Sequence, residues 1–178
     1  MWAEDEARFG LLPTYRRQWT PKGQRATASS LRKYSWFYLF AFIHPRTGAL
    51  LCWRTTTVST AGMSRLLRAL AEELGLGPQR HLVLVVDKAG WHQSKQLVLP
   101  DGLHLAPLPA YSPELQPTER VWPLVREALA NRHWSQLEAL GDKVDQRCQY
   151  LMEHPEEIQK NTCFHWWPAD IPAYVSTS

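Results

Sequence analysis

The sequence predicts an α/β fold in which a mixed β-sheet carries helices on both of its faces. Apolar runs rich in β-branched and aromatic residues alternate with segments whose apolar residues recur at helical spacing. The elements follow in the order three strands, helix, strand, helix, strand and further helices, which is typical of a sheet covered by helices. At 178 residues, the chain is long enough for one domain, residues 1–178, with its own hydrophobic core.

The first three strands are predicted at the start of the chain. Residues 1–10 form the first, and residues 18–25 contain Pro and Gly, which favour a turn between strands. Two aromatic-rich apolar runs, 34–43 and 49–57, flank the turn sequence HPRTG at 44–48. This pattern predicts a β-hairpin.

A helix is predicted next, because Ser59 or Thr60 can cap its start and Gly75 can end it. Its apolar residues fall at helical spacing and are Met63, Leu66, Leu67, Leu70 and Leu74. The apolar run 82–86 that follows ends abruptly at Asp87, as a buried parallel strand does when it brings a carboxylate to the edge of a sheet.

The second half of the chain is predicted to hold a short helix at 91–97, a strand at 103–108 and a C-terminal amphipathic helix. The apolar stripe of that last helix is formed by Val144, Cys148, Leu151 and Met152. Another helix should begin near Pro117. Because Pro123 cannot donate the backbone hydrogen bond that the Glu119 carbonyl would accept, this helix should bend there or begin late.

Three acidic stretches carry most of the functional information: MWAEDE, HLVLVVDKAGWH and LPAYSPELQPTERVW. A carboxylate directly after five apolar residues, as at Asp87, is costly unless solvent, a partner or a metal meets it. Taken alone, Asp5 can cap a turn, and Glu119 can serve a helix start, where a negative charge suits the helix dipole. Together, carboxylates converging from separate elements suit Mg²⁺ or Mn²⁺, which take oxygen ligands, and suggest metal-dependent phosphoryl transfer.

At these residues the chain resembles a known family, the DDE transposases of the mariner-type superfamily, in particular the bacterial insertion-sequence 630 group. The resemblance rests on Asp5-Glu6, on Asp87-Lys88-Ala89 with His92, and on the long motif at 108–122 that contains Glu119. It implies a ribonuclease-H-like fold with a five-stranded mixed sheet. It also implies that Asp5, Asp87 and Glu119 are the catalytic triad and bind two Mg²⁺ or Mn²⁺ ions.

The resemblance further implies a transposase catalytic domain that cleaves DNA and transfers strands at the ends of a mobile element. Lys88 and Gln116 stand where the family usually has Asn, and the 32 positions from Asp87 to Glu119 form a slightly short interval. These departures favour one alternative, a catalytically inactive DNA- or protein-binding remnant. A second alternative is a ribonuclease-H-like nuclease that acts on RNA–DNA hybrids.

Neighbouring polar residues allow more than one role. His92 could contact a DNA phosphate or orient Asp87 through a hydrogen bond. Lys88 could form a salt bridge with Asp87 or contact the scissile phosphate. Glu6 should point to the opposite face from Asp5, and we expect Glu6 and Glu114 to support the site or face solvent rather than bind metal.

Basic residues are concentrated near the start of the chain. The segment 8–33 contains seven basic residues and no acid, which suits a surface that faces phosphates. A solvated basic surface without a partner is the alternative. The candidate residues for binding double-stranded DNA are Arg16, Arg17, Lys22, Arg25, Lys88 and His92.

The resemblance also predicts the partners of the chain. Family members carry helix-turn-helix modules ahead of the catalytic domain, whereas the first predicted strand begins at Met1. We therefore expect such modules to be absent from this chain, which would be a catalytic half with a separately encoded DNA-binding half, a truncated remnant or a host-recruited relic. A homodimer is compatible with the sequence.

Composition argues against a membrane protein or a disulfide-rich secreted one. The three cysteines are far apart and include no C-x-x-C pair, so neither a zinc site nor a disulfide framework is indicated. The longest apolar stretch, 34–43, is too short to span a bilayer, and no signal-peptide pattern is present. We expect a cytoplasmic bacterial protein that associates with the nucleoid when it is bound to DNA.

Overall fold

A five-stranded mixed sheet forms the centre of the computed structural model, which describes residues 1–12, 19–24, 34–110 and 112–168. The strand order is β3-β2-β1-β4-β5. Strands β1 to β3 are antiparallel neighbours, whereas β4 runs parallel to β1 and β5 runs parallel to β4. The strands are β1 Trp2–Gly10, β2 Trp36–His44, β3 Ala49–Thr55, β4 Leu82–Val86 and β5 Leu103–Pro107. The predicted strands and hairpin are confirmed.

Helices cover both faces of the sheet. They are α1 Thr60–Leu74, α2 Val121–Glu127, α3 Leu137–Glu153 and α4 Pro155–Thr162. Helix α1 packs on one face, and α2, α3 and α4 pack on the other. The side chains of β1 alternate between these two cores: Trp2 joins the α1 core, and Ala3, Ala7 and Phe9 join the other. Because both faces of β1 are covered, acids at consecutive positions of this strand point toward the two different cores.

The caps of α1 agree with the sequence. Ser59 Oγ accepts a hydrogen bond from the Gly62 N–H at 3.1 Å, which satisfies one of the first free backbone donors of the helix. Gly75 ends the helix at φ 61° and ψ 42°, the left-handed conformation that favours glycine. The predicted apolar residues Met63 and Leu67 lie in the core on the inner face of α1.

The expected helix at 91–97 is wrong, because the chain between β4 and β5 contains no helix. In this segment, side-chain oxygens accept hydrogen bonds from nearby backbone N–H groups, and these bonds compete with the hydrogen bonds of a helix. Asp87 Oδ1 accepts from the Ala89 N–H at 2.8 Å, and Ser94 Oγ accepts from the Gln96 N–H at 3.2 Å. The segment therefore forms consecutive turns.

Two details of the later helices also bear on the sequence predictions. Met152 is 39% exposed, so its placement in the buried stripe of α3 is wrong. It follows the buried Leu151 by one position, which rotates it about 100° around the helix. The late helix start is confirmed: residues Pro117–Arg120 form a 3₁₀ turn, and the α-helix begins at Val121 with Pro123 in its first turn.

No helix among the described residues has both the length and the apolar character needed to cross a membrane.

Replacing Gly48 with Ala should destabilise the protein more than replacing Gly75 with Ala. Both glycines have positive φ, 75° and 61°, so each substitution should cost about 1–2 kcal/mol of backbone strain. At Gly48 the new Cβ would also collide with the Pro155 carbonyl at the start of α4, which should add about 1–3 kcal/mol. At Gly75 the nearest atom is Arg80 Nη1 at 3.8 Å, an ordinary contact.

Urea denaturation of the two variants measures this difference. Equal losses of unfolding free energy would show that α4 shifts away from the hairpin without cost.

Candidate active site

The parallel pairing of β1 with β4 brings the first two predicted acids together. Trp2 pairs with Leu84 and Ala3 with Val85. The same register, continued by two positions, sets Asp5 beside Asp87, which directly follows the last residue of β4. Ala3 belongs to the core under α2 to α4, so the strand alternation directs Asp5 to that face. Asp87 lies just past the end of β4, and its Oδ1 contacts His92.

Asp5 is buried in the centre of the sheet, with 8% of its surface exposed. Its Oδ2 accepts a hydrogen bond from Trp122 Nε1 at 2.7 Å, and Trp122 lies in the first turn of α2. Burial is the main cause that raises the pKa of Asp5 to about 7, against the effect of the Trp122 hydrogen bond, and the negative charges of Glu119, Glu4 and Asp87 raise it further. Within the described part of the chain, the charges that act on Asp5 are thus all negative.

Two side chains fix the turn that carries Glu119. Gln116 Nε2 donates to the Glu4 backbone carbonyl at 2.8 Å, and Trp122 donates to Asp5. These two anchors flank the 3₁₀ turn and bind consecutive residues of β1. Glu119 itself is exposed, and its charge acts on Asp5. Gln116, which stands where the family usually has Asn, thus attaches the turn to β1.

His92 links Asp87 to Glu4 in the interior. Only 1% of its side chain is exposed; Nδ1 lies 2.9 Å from Asp87 Oδ1, and Nε2 lies 3.0 Å from Glu4 Oε2. The hydrogen bond with His92 is the main cause that lowers the pKa of Asp87. Burial lowers the pKa of His92, but its contacts with Asp87 and Glu4 outweigh that effect and raise it to about 10.

The expected DNA contact of His92 is contradicted by this burial, because the ring is enclosed and its Nδ1 is held by Asp87. The alternative role, orientation of Asp87, is the one that the geometry supports. A histidine that contacts a carboxylate this closely also keeps that carboxylate ionised.

Glu4 is a site residue that the sequence did not reveal. Its surface is 0% exposed, and burial is the main cause that raises its pKa. Glu6, on the same face, is half-buried, and burial followed by the charge of Glu4 raises its pKa to about 8. The alternation of β1 places both on the face opposite Asp5, but their burial becomes evident only once helices are known to cover both faces of the strand. Glu114 is exposed, as expected.

The donor groups fit divalent ions, although they form two distinct sets. One set consists of Asp5, Asp87 and Glu119, because the charges of Asp87 and Glu119 raise the pKa of Asp5. Such a set of oxygen donors with excess negative charge suits Mg²⁺ or Mn²⁺. The ligand atoms that lie within 4.8 Å of one another, among the described residues, belong instead to Glu4, Glu6 and His92.

The other predicted DNA-binding residues are only partly described. Lys22 and Lys88 are exposed. In the described part of the chain no salt bridge joins Lys88 to Asp87, whose ionic partner is His92. Arg16, Arg17 and Arg25 lie outside the described residues.

A basic cavity of about 540 Å³ opens beside the end of β1, and we call it the arginine groove. Three arginines line it together with aromatic residues. Arg8 lies over the Trp36 ring at 5.3 Å, and Arg126 lies over the Phe9 ring at 5.5 Å. The charged and aromatic lining includes Arg8, Arg126, Arg132, Tyr34, Trp36 and Trp134. Guanidinium groups and aromatic faces of this kind suit phosphates and nucleobases.

Replacing Asp5 with Asn should flatten the dependence of stability on pH. The folded-state pKa of about 7 exceeds the ordinary value of 3.8, so the folded protein holds this proton more tightly than the unfolded chain does. Stability should therefore fall as the pH rises from about 4 to about 7 in the absence of divalent ions. The variant should escape this loss, which is at most about 4 kcal/mol.

Urea denaturation in a chelating buffer at about pH 5 and about pH 8 tests this difference. The exposed Glu114→Gln is the control and should behave as the wild type does. Identical pH slopes for Asp5→Asn and wild type would contradict a raised pKa at Asp5.

The fold is similar to that of solved transposase complexes. The chain in "Crystal structure of the Mos1 Strand Transfer Complex" matches with a TM-score of 0.59 and 18% identity, covering 93% of this chain and 55% of that one. The chain in "Crystal structure of the Mos1 mariner paired end complex with Mn" matches with a TM-score of 0.61 and 18% identity, covering 90% and 52%. The present chain thus spans about half the length of these chains. The ribonuclease-H-like fold expected from the sequence is confirmed.

Sequence comparisons identify the family. "Uncharacterized protein y4pE/y4sA" of Sinorhizobium fredii (strain NBRC 101917 / NGR234) is 30% identical over 132 residues, which cover 74% of this chain and 96% of that protein. Residues 1–141 match the family described as DDE superfamily endonuclease, and this segment contains β1 to β5, α1 and α2 with all three predicted acids. The chain belongs to the DDE superfamily endonucleases.

Proposed function

We propose that this chain is the catalytic domain of a transposase, which cleaves DNA and transfers strands at the ends of a mobile element. The observation that carries the proposal is that the charges of Asp87 and Glu119 both act on the buried Asp5, although the three acids come from three separate elements. Membership of the DDE superfamily endonucleases supports the same chemistry. In this proposal Asp5, Asp87 and Glu119 are the catalytic residues.

The same three acids would hold two divalent ions, Mg²⁺ or Mn²⁺. When bound, such ions supply Lewis-acid stabilisation of charge at the scissile phosphate and activate the attacking water or hydroxyl. Two of the structurally similar Mos1 complexes were solved with Mn and with Mg. The excess negative charge around Asp5 supports a need for cations at this place.

The protein's own residues prepare the acids for this role. Trp122 occupies Oδ2 of Asp5, which fixes the carboxylate and leaves Oδ1 for an ion. His92 holds Asp87 and lowers its pKa, so that Asp87 is ionised at neutral pH. Such partners of metal ligands orient the ligands and tune their basicity.

The two departures from the family pattern are compatible with activity. Gln116 keeps the Glu119 turn attached to β1 through the Glu4 carbonyl. Lys88 is exposed beside Asp87 without a salt bridge to it, so its ammonium group can contact a DNA phosphate. Neither residue therefore favours the inactive remnant.

We propose double-stranded DNA as the substrate, contacted through its phosphates by Lys22 and Lys88 and by Arg16, Arg17 and Arg25. Recognition of the mobile-element ends would come from helix-turn-helix modules that act together with this domain. Assembly as a homodimer would let two such domains act on a pair of ends.

Replacing Glu119 with Gln should abolish metal-dependent nicking of plasmid DNA. Glu119 is exposed, so the substitution should leave the fold intact while it removes one negative ligand. The rate should fall by about a hundredfold or more, as it does when one preorganised stabilising group is removed from an active site. Glu114→Gln, an exposed acid in the preceding 3₁₀ turn, is the matched control and should keep the wild-type rate.

Supercoiled duplex DNA with Mn²⁺, Mg²⁺ or a chelator measures this activity. Equal nicking by Glu119→Gln and wild type would remove Glu119 from the active site. Faster cleavage of an RNA–DNA hybrid than of duplex DNA would favour the hybrid nuclease instead.

Replacing Arg8 and Arg132 with Ala should weaken binding to all DNA sequences about equally, because phosphate contacts carry no sequence information. The wild-type chain should bind with a dissociation constant on the order of 10⁻⁴ to 10⁻⁶ M at physiological salt. The logarithmic salt slope should flatten by about 0.9 for each phosphate that the variant no longer neutralises. Arg68→Ala, on the exposed side of α1, is the control.

Fluorescence anisotropy with transposon-end and random duplexes at several salt concentrations gives both the affinity and the salt slope. An unchanged slope in the double variant would show that the arginine groove does not face the DNA backbone.

A further inference from the structure

A second group of potential metal ligands lies on the opposite face of β1 from Asp5. Glu4, Glu6 and His92 each offer one ligand atom, and these atoms all lie within 4.8 Å of one another. Glu4 is 0% exposed, and the His92 side chain is 1% exposed. The cluster is therefore enclosed by protein, with the half-buried Glu6 on its outer side.

The polar atoms of this cluster are not satisfied by protein hydrogen bonds. Both carboxylate oxygens of Glu4, Oε2 of Glu6 and Nε2 of His92 are buried without a hydrogen-bond partner among the described residues. The 3.0 Å contact between His92 Nε2 and Glu4 Oε2 brings the two groups together without the geometry of a hydrogen bond. Buried polar atoms of native proteins are nearly always paired, so Glu4 Oε1 and Glu6 Oε2, which have no hydrogen-bond partner beside the His92–Glu4 ion pair, call for a missing partner.

The orientation of His92 is that of a metal ligand. Its Nδ1 is held by Asp87 Oδ1 at 2.9 Å, which leaves Nε2 directed toward Glu4 and Glu6. Metal-binding histidines characteristically engage a carboxylate through the ring nitrogen that does not face the ion, which fixes the tautomer and the ring plane.

The charges in the cluster also favour a cation. Three carboxylates lie close to one imidazole ring: Glu4 and Asp87 contact its two nitrogens at 3.0 and 2.9 Å, and Glu6 has an oxygen within 4.8 Å of the other ligand atoms. A divalent cation at this place would offset the negative charge of the carboxylates and supply a partner for the buried polar atoms.

We propose that Glu4, Glu6 and His92 form a second metal site, distinct from Asp5, Asp87 and Glu119, that binds a divalent transition-metal ion such as Mn²⁺ or Zn²⁺. One imidazole nitrogen with two carboxylate oxygens suits these ions, whereas Mg²⁺ prefers oxygen ligands alone. The ion would fix His92 and, through it, the orientation of Asp87. This inference does not depend on the proposed strand-transfer activity, because the site would bind metal in a catalytically inactive chain as well.

Pulsed electron paramagnetic resonance of bound Mn²⁺ tests the proposal, because a directly coordinated imidazole nitrogen gives a ¹⁴N coupling that carboxylate ligands cannot give. The full chain carrying Asp5→Asn and Glu119→Gln, which lacks two of the proposed catalytic ligands, should keep this coupling. His92→Gln should lose it, and the exposed His165→Gln should retain it. Glu4→Gln should weaken Mn²⁺ binding by about tenfold or more.

The absence of a ¹⁴N coupling in the Mn²⁺-loaded wild type, or its persistence in His92→Gln, would overturn the proposal. If Glu4→Gln fails to fold, Glu6→Gln, at the outer side of the cluster, provides the same affinity measurement. Nicking that still depends on Glu119 in a protein without the ¹⁴N coupling would refute this second site alone and leave the proposed transposase function standing.

Discussion

The burial of an acidic strand in the middle of the sheet is the constraint on which the rest of the site depends. Strand β1 lies between β2 and β4, with helices over both of its faces, yet it carries Glu4, Asp5 and Glu6 in succession. Carboxylates removed from water are unstable as anions unless hydrogen bonds or positive charges meet them. The raised pKa values of all three show that the protein groups around them compensate this cost only in part.

The partners of these acids come from distant parts of the chain and thereby assemble the site. Gln116 and Trp122 bind Glu4 and Asp5 from one side, and the turn that holds Glu119 lies between these two contacts. His92 approaches from the loop after β4 and joins Glu4 to Asp87. The Trp122 bond that reaches the Asp5 carboxylate, together with the Gln116 bond to the Glu4 backbone, also attaches the Glu119 turn to β1, and the His92 contacts link Asp87 to Glu4. The same hydrogen bonds therefore stabilise the fold and position the acids.

Much of this architecture could be predicted from local sequence, because strand runs, the Ser59 cap, the Gly75 stop and the effect of Pro123 each depend on a few neighbouring residues. The three acids could be predicted from the family resemblance and, for Asp87, from its position directly after the apolar run 82–86. The buried role of Glu4 could not, since it requires knowing that β1 is covered on both faces. The helix predicted at 91–97 does not form, because Asp87 and Ser94 accept hydrogen bonds from nearby backbone N–H groups and stabilise turns there.

The three acids of the proposed triad differ in how firmly they are held, and this difference has a chemical consequence. Asp5 and Asp87 have fixed oxygens, held by Trp122 and His92. Glu119 is exposed, and it is positioned through its turn rather than through its carboxylate. Rigid ligands define where an ion sits, whereas a ligand free to rotate can follow changes in coordination as a phosphate enters and leaves. Two fixed aspartates and one adjustable glutamate therefore suit successive cleavage and joining at the same place.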